Sequence, residues 1–168
     1  MLNRHGRGIF KMKNRKLSSH KLLVAIGRCM HFYRYNAGFG LSDAAALLGV
    51  TERTLRAYEH AEHEMTLLTA LNAALLYGVR LSKLLCYSRR RTRAAGRVIR
   101  DIKTIRKKLG YTQAGLAAEL GISKCSLSKY EHRQDKMPIT LFYRICEMGE
   151  LSEGQLNRLA MYAVSKSM

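Results

Sequence analysis

Apolar side chains recur at steps of three and four along much of the chain, most plainly at Val98, Ile102, Ile105 and Leu109. That spacing lays them along one stripe of a helix, and Gly110, free to take a left-handed backbone, marks its end. Thr112 is placed to cap a second helix that turns Leu116, Ala117 and Leu120 inward and stops at Gly121, and Ser123 is placed to cap a third. Pro138 suits the first turn of a fourth helix, where its missing N–H is no loss, and an apolar run follows it through Ile145. Ser152 is placed to cap a fifth, reaching about Ser165. No run alternates apolar and polar residues as a half-buried strand would.

The first half follows the same plan. Shifting the sequence on itself by 72 places Gly38-Phe39 on Gly110-Tyr111, Ala45-Ala46 on Ala117-Ala118, and Leu48-Gly49-Val50-Thr51 on Leu120-Gly121-Ile122-Ser123. Without a gap, Leu55 then falls on Leu127, Tyr58-Glu59-His60 on Tyr130-Glu131-His132 and Met65 on Met137. This is an internal duplication. The first copy is expected to hold helices over 19–36, 42–48, 51–60, 65–77 and 82–87, with Ser42 capping the second. The predicted fold is all-α, with two tandem five-helix units over 19–87 and 98–168, an N-terminal arm over 1–18 and a linker over 88–97.

Charge adds a partner to this picture. Lys and Arg number 30 against 12 Asp and Glu, a net +18, so a polyanion is expected. No acidic residue precedes Asp43, and the arm carries Lys11, Lys13, Arg15 and Lys16. The linker carries Arg89, Arg90, Arg91 and Arg93, again without an acid. Both segments read as phosphate-tracking. Cys29, Cys86, Cys125 and Cys146 form no Cys-x-x-Cys pair, so reduced thiols are expected and no metal or cofactor site is. No apolar run approaches the roughly 20 residues of a membrane span, and the cytoplasm is the expected compartment. No nucleophile, base and orienting group stand in recognisable spacing, so the chain is not read as an enzyme.

The segment Leu120-Gly121-Ile122-Ser123 reads as the turn between two short helices, and the helix beyond it has two unlike faces. Leu127, Tyr130 and Glu131 share one side, Cys125, Lys129 and His132 the other, with Lys124 and Ser128 on the flank. A small helix with a polar face fits the major groove of B-DNA, about 12 Å wide. Ile105-Arg106, Gly110-Tyr111-Thr112-Gln113, Leu116-Ala117, Leu120-Gly121-Ile122-Ser123, Leu127 and Tyr130-Glu131 together resemble the lambda-repressor/Cro-like (Xre) family. The resemblance implies a compact five-helix domain that binds double-stranded DNA as a transcriptional regulator. It implies DNA contacts from Thr112, Gln113, Ser123, Lys124, Cys125, Ser128 and Lys129, and a structural pair, Arg106 with Glu131, matched by Arg34 with Glu59. The first copy departs from the pattern. Gly40-Leu41 stands where the second has Thr112-Gln113, and Thr51, Glu52, Arg53, Arg56, Ala57 and His60 take the reading positions.

Other readings remain open at this point. A module of this fold can occupy a partner protein, as an antitoxin or antiactivator does, and a basic helical protein can bind RNA. Leu151, Leu156, Leu159, Met161 and Val164 give the last helix more apolar surface than one short core needs, which suggests a homodimer. His31, Phe32, Tyr33 and Tyr35, at helical spacing, are expected to pack in the core rather than stack on bases.

Overall fold

The computed structural model describes residues 19–87 and 99–165. The arm residues Lys11, Lys13, Arg15 and Lys16 and the linker residues Arg89, Arg90, Arg91 and Arg93 lie outside the described residues. Ten α-helices run in order among those described: α1 Ser19–Asn36, α2 Leu41–Leu48, α3 Glu52–Glu59, α4 Leu67–Leu76, α5 Leu81–Leu84, α6 Ile102–Lys108, α7 Gln113–Leu120, α8 Lys124–His132, α9 Ile139–Met148 and α10 Glu153–Ser165. A 3₁₀ turn, Gln134–Lys136, follows α8. The described residues include no strand, only an isolated antiparallel bridge between Thr66 and Pro138.

Turn chemistry sets most of the boundaries. Gly49 and Gly121 close α2 and α7 at φ 67° and 73°, the left-handed region that glycine enters without a Cβ penalty. Thr51, Thr112 and Ser123 each accept the N–H three residues on, capping α3, α7 and α8. Three expected boundaries move. Helix α2 starts at Leu41 behind Gly40, not behind a Ser42 cap, with Asp43 in the first turn to complement the helix dipole. Helix α6 starts at Ile102, where the Asp101 side chain accepts from the Thr104 N–H at 2.6 Å. Helix α5 ends at Leu84; Cys86 then turns at φ 51°, and the Tyr87 hydroxyl donates to the Leu151 carbonyl at 2.6 Å.

The buried residues form one continuous core running from Leu22 in α1 to Ala163 in α10. Of the apolar excess expected at the last helix, Met161 is 52% exposed and Val164 half-buried, while Leu151, Leu156 and Leu159 are buried in this core. Their cover is the first half of the chain: α10 packs on α4 and α5. Helix α1 buries Leu22, Ile26, Met30 and Arg34. Phe32 and Tyr35 fall off that stripe and are 57% and 75% exposed, so they do not join the core as expected.

Candidate nucleic-acid interface

Helices α7 and α8 are joined across Gly121, and α8 is held from below by one ion pair. The Arg106 Nε donates to Glu131 Oε1 at 2.6 Å, Nη2 to Oε2 at 3.2 Å, and Nη1 to the Tyr111 carbonyl at 3.1 Å. One guanidinium thus ties α6 to the end of α8 and to the turn before α7. The Gln113 Nε2 donates to Glu131 Oε2 at 2.8 Å. Burial alone would raise the Glu131 carboxyl, but hydrogen bonds from Arg106 and Gln113 outweigh it and hold the pKa below its ordinary value.

The other side of α8 is open. Ser123, Lys124, Cys125, Lys129 and His132 are exposed and Ser128 is half-buried, while Leu127 has no exposed surface. Cys125, Ser128, Lys129, His132 and Arg133 line a shallow groove on this side. Thr112 is exposed at the start of α7. Six of the seven residues expected to touch DNA from the second copy therefore lie at the N-terminus of α7 or along α8 with solvent-facing polar atoms. The seventh, Gln113, is half-buried with one of its two amide hydrogens committed to Glu131.

Helix α3 is anchored in the same way. The Arg34 Nε donates to Glu59 Oε1 at 2.6 Å, Nη2 to Oε2 at 2.9 Å and Nη1 to the Phe39 carbonyl at 3.0 Å. With Leu41 in the place of Gln113, a different side chain completes the carboxylate: His31 Nδ1 lies 2.9 Å from Glu59 Oε2. Burial would raise Glu59 as well, and hydrogen bonds from Arg34 and then His31 bring it below its ordinary value. Residue spacing on α1 alone could have flagged His31, since it stands three before Arg34 and so on the same side of the helix.

Thr51, Glu52, Arg53 and Arg56 are exposed along α3. Ala57 is not: it is 4% exposed and leaves the reading face to its neighbours, a correction to the expectation. The cause is the turn that follows. The chain folds back at Ala61, φ 60°, so that the Glu62 and His63 N–H groups both donate to the Ala57 carbonyl, at 2.8 and 3.3 Å. At the equivalent place in α8 the helix runs on to His132, and Lys129 stays exposed. None of the four cysteines is paired in a disulfide, and no helix among the described residues is long and apolar enough to cross a membrane.

Residues 102–155, from α6 into α10, match the helix-turn-helix family. Two curated relatives, both named Antitoxin HipB, are 35% identical over 51 residues. For the protein of Escherichia coli strain K12 the match covers 30% of this chain and 58% of the relative. For that of Escherichia coli O6:H1 it covers 30% of this chain and 54% of the relative. The chain thus spans a little over half the length of the curated relatives it matches. No solved structure matches it.

Proposed function

We propose that the protein is a sequence-specific double-stranded DNA-binding transcriptional regulator built from two tandem helix-turn-helix units, 19–87 and 98–168. The observation that carries this reading is the family match over 102–155, with α8 capped by Ser123, turned at Gly121 and held by Glu131 so that its Lys124 and Lys129 side stays open. A helix of this size and polarity enters a major groove, where Lys and Ser donate to base edges and phosphates. Thr112, Gln113 and Ser123 position the unit on the backbone, and Lys124, Cys125, Ser128 and Lys129 read bases. Gln113 keeps one amide hydrogen for a phosphate oxygen. In the first unit, Thr51, Glu52, Arg53 and Arg56 do the equivalent work on a less specific site. The arm and linker cations Lys11, Lys13, Arg15, Lys16, Arg89, Arg90, Arg91 and Arg93 track phosphates.

Selection of bound sequences from random duplex DNA tests this directly. A consensus should emerge, and affinity for it should fall with salt at a log-log slope of about −0.9 per neutralised phosphate. Equal binding to selected and scrambled duplexes would refute it. The likeness to Antitoxin HipB supports a second reading, in which the same fold also occupies a protein partner. Co-purification of one stoichiometric partner that lowers DNA affinity would favour it.

A further inference from the structure

Two DNA-reading units repeated along a chain can be stacked by translation, reading a direct repeat, or face each other across a twofold axis, reading an inverted one. Contacts between the halves distinguish these. The Met65 carbonyl accepts from the Ile139 N–H at 3.0 Å, and the Met137 carbonyl accepts from the Leu67 N–H at 2.8 Å. Met65 and Met137 are equivalent under the shift of 72, as are Leu67 and Ile139, and the bridge at the centre joins the equivalent Thr66 and Pro138. Each half therefore gives the other the bond it receives, the mark of an isologous contact; a translated copy would present an unlike surface.

The surrounding packing agrees. Helix α4 packs on α9 and α5 on α10, and in each case the partner begins at the equivalent residues. The 3₁₀ turn at 134–136 packs on α4, and its twin contact is Glu64, whose carboxylate accepts both the Thr140 N–H, at 2.8 Å, and the Thr140 hydroxyl at the start of α9. A twofold rotation preserves direction along its axis and reverses direction across it. Helices α3 and α8, each ending shortly before the bridge, are thus related as two half-sites inverted about a duplex's own dyad are related.

The pairing is also selective for unlike halves. The Ser82 N–H donates to Asn157 Oδ1 at 3.0 Å, and Asn157 Nδ2 donates to Ser82 Oγ at 3.0 Å. The equivalents of Asn157 and Ser82 are Leu85 and Gly154, whose side chains can make neither bond. A first unit paired with another first unit loses both, and a second paired with a second, which keeps an N–H donor at Gly154, loses the bond to the hydroxyl. Of the apolar residues that suggested a homodimer, Leu151, Leu156 and Leu159 are covered within the chain, and Met161 stays 52% exposed.

We infer that one molecule is by itself the complete reading pair, occupying a single DNA site made of two inverted half-sites of unlike sequence. This rests on the DNA-binding reading above. The test uses the unmodified protein and varies the DNA: the selected duplex, the same duplex with one arm reversed into a direct repeat at unchanged spacing, and a duplex carrying two copies of either arm, with the mass of each complex measured by sedimentation. One chain per duplex is expected, with affinity for the reversed-arm duplex down by about tenfold or more, since a reversed arm mismatches several base pairs. Lys129→Ala should relax base preference in one arm and Arg53→Ala in the other. Two chains per duplex, equal affinity for direct and inverted arms, or both substitutions acting on the same arm would overturn the inference while leaving sequence-specific binding intact. If no consensus is selected at all, the DNA-binding reading falls first and takes this one with it.

Discussion

Helices α3 and α8 are fastened alike and present different surfaces. Arg34–Glu59 and Arg106–Glu131 close at the same 2.6 Å, each guanidinium also caps a carbonyl at the following turn, and Thr51 and Ser123 cap the two helices in the same way. On the open side, α3 shows Glu52, Arg53 and Arg56, whereas α8 shows Lys124, Cys125 and Lys129. A duplicated scaffold tolerates divergence where side chains meet solvent, and resists it where one change strands a buried charge. Under the proposed function, the contrast separates the residues that hold a reading helix from those that would read.

The largest effect should come from breaking the fastening. Arg106→Leu leaves Glu131, whose side chain is 2% exposed, as a buried carboxylate with the Gln113 amide as its hydrogen-bond donor and Lys103 as a more distant charge, and should cost about 3 to 5 kcal/mol in a denaturant titration. Arg34→Leu should cost less, because the partner left to Glu59 is the His31 ring at 2.9 Å, whose N–H is a stronger donor to a carboxylate than that of an amide. Equal losses in the two variants would break this distinction. Both carboxyls are held below their ordinary value of 4.5, so the stability they contribute is present above that value and lost as pH falls through the lower folded-state values. Wild-type unfolding free energy should therefore decline with acid below about pH 4.5, and Glu131→Gln should flatten that decline.

A smaller loss should follow at a place where the halves differ in their first helix. Helix α1 has 18 residues and α6 has 7, and only the longer one passes over the end of the reading helix. It does so at Gly27, where an added Cβ would lie 2.5 Å from the Glu59 carbonyl oxygen and 2.8 Å from that of Tyr58. Backbone must move to admit it, so Gly27→Ala should destabilise by about 1 to 3 kcal/mol despite the better helix propensity of alanine. A thermal melt showing Gly27→Ala at or above wild type would mean that α1 does not clamp α3.

How far the sequence could carry these distinctions depended on range. The caps Thr112 and Ser123, the glycine stops and the Arg–Glu pairs rest on local spacing or on the family pattern, and the structure has them in place. Ala57 escaped, because its burial is caused by a fold-back at Ala61 that no helical periodicity encodes. The exposure of Phe32 and Tyr35 escaped too: spacing places them on a helix without saying which face the neighbours cover. Least legible was the pairing of the halves through Met65–Leu67 and Met137–Ile139, which depends on backbone groups and on residues 72 apart.

On the reading faces, Lys129→Ala should lose discrimination worth about 1 to 3 kcal/mol at one or two base pairs, the usual value of a good base contact. Arg53→Ala should lose less, since Glu52 beside it repels phosphate and Ala57 leaves a gap where Lys129 reaches out. Competition of each variant across a library of single-base changes measures both; a larger specificity change from Arg53→Ala would reverse the assignment of the two units.

The smallest effect should come from making the second unit resemble the first at the position where they differ beneath the surface. Gln113→Leu installs the residue that stands at Leu41, and removes the 2.8 Å bond to Glu131 without supplying a substitute for His31. Arg106 still pairs the carboxylate, so the stability loss should be about 1 kcal/mol, in the range of a single hydrogen bond. The same change removes the amide hydrogen proposed for a phosphate contact, which would position the unit and carry no base information. Affinity should fall by a similar factor for every duplex, with the selected consensus unchanged. Lys103→His, three residues before Arg106 as His31 is before Arg34, exchanges the distant attraction of the Lys103 charge to Glu131 for a ring nitrogen within bonding reach, and should recover stability but not affinity, since it leaves the phosphate without its donor. Recovery of both together would show that Gln113 acts on DNA only through the ion pair, and a shifted consensus in Gln113→Leu would make it a reader of bases.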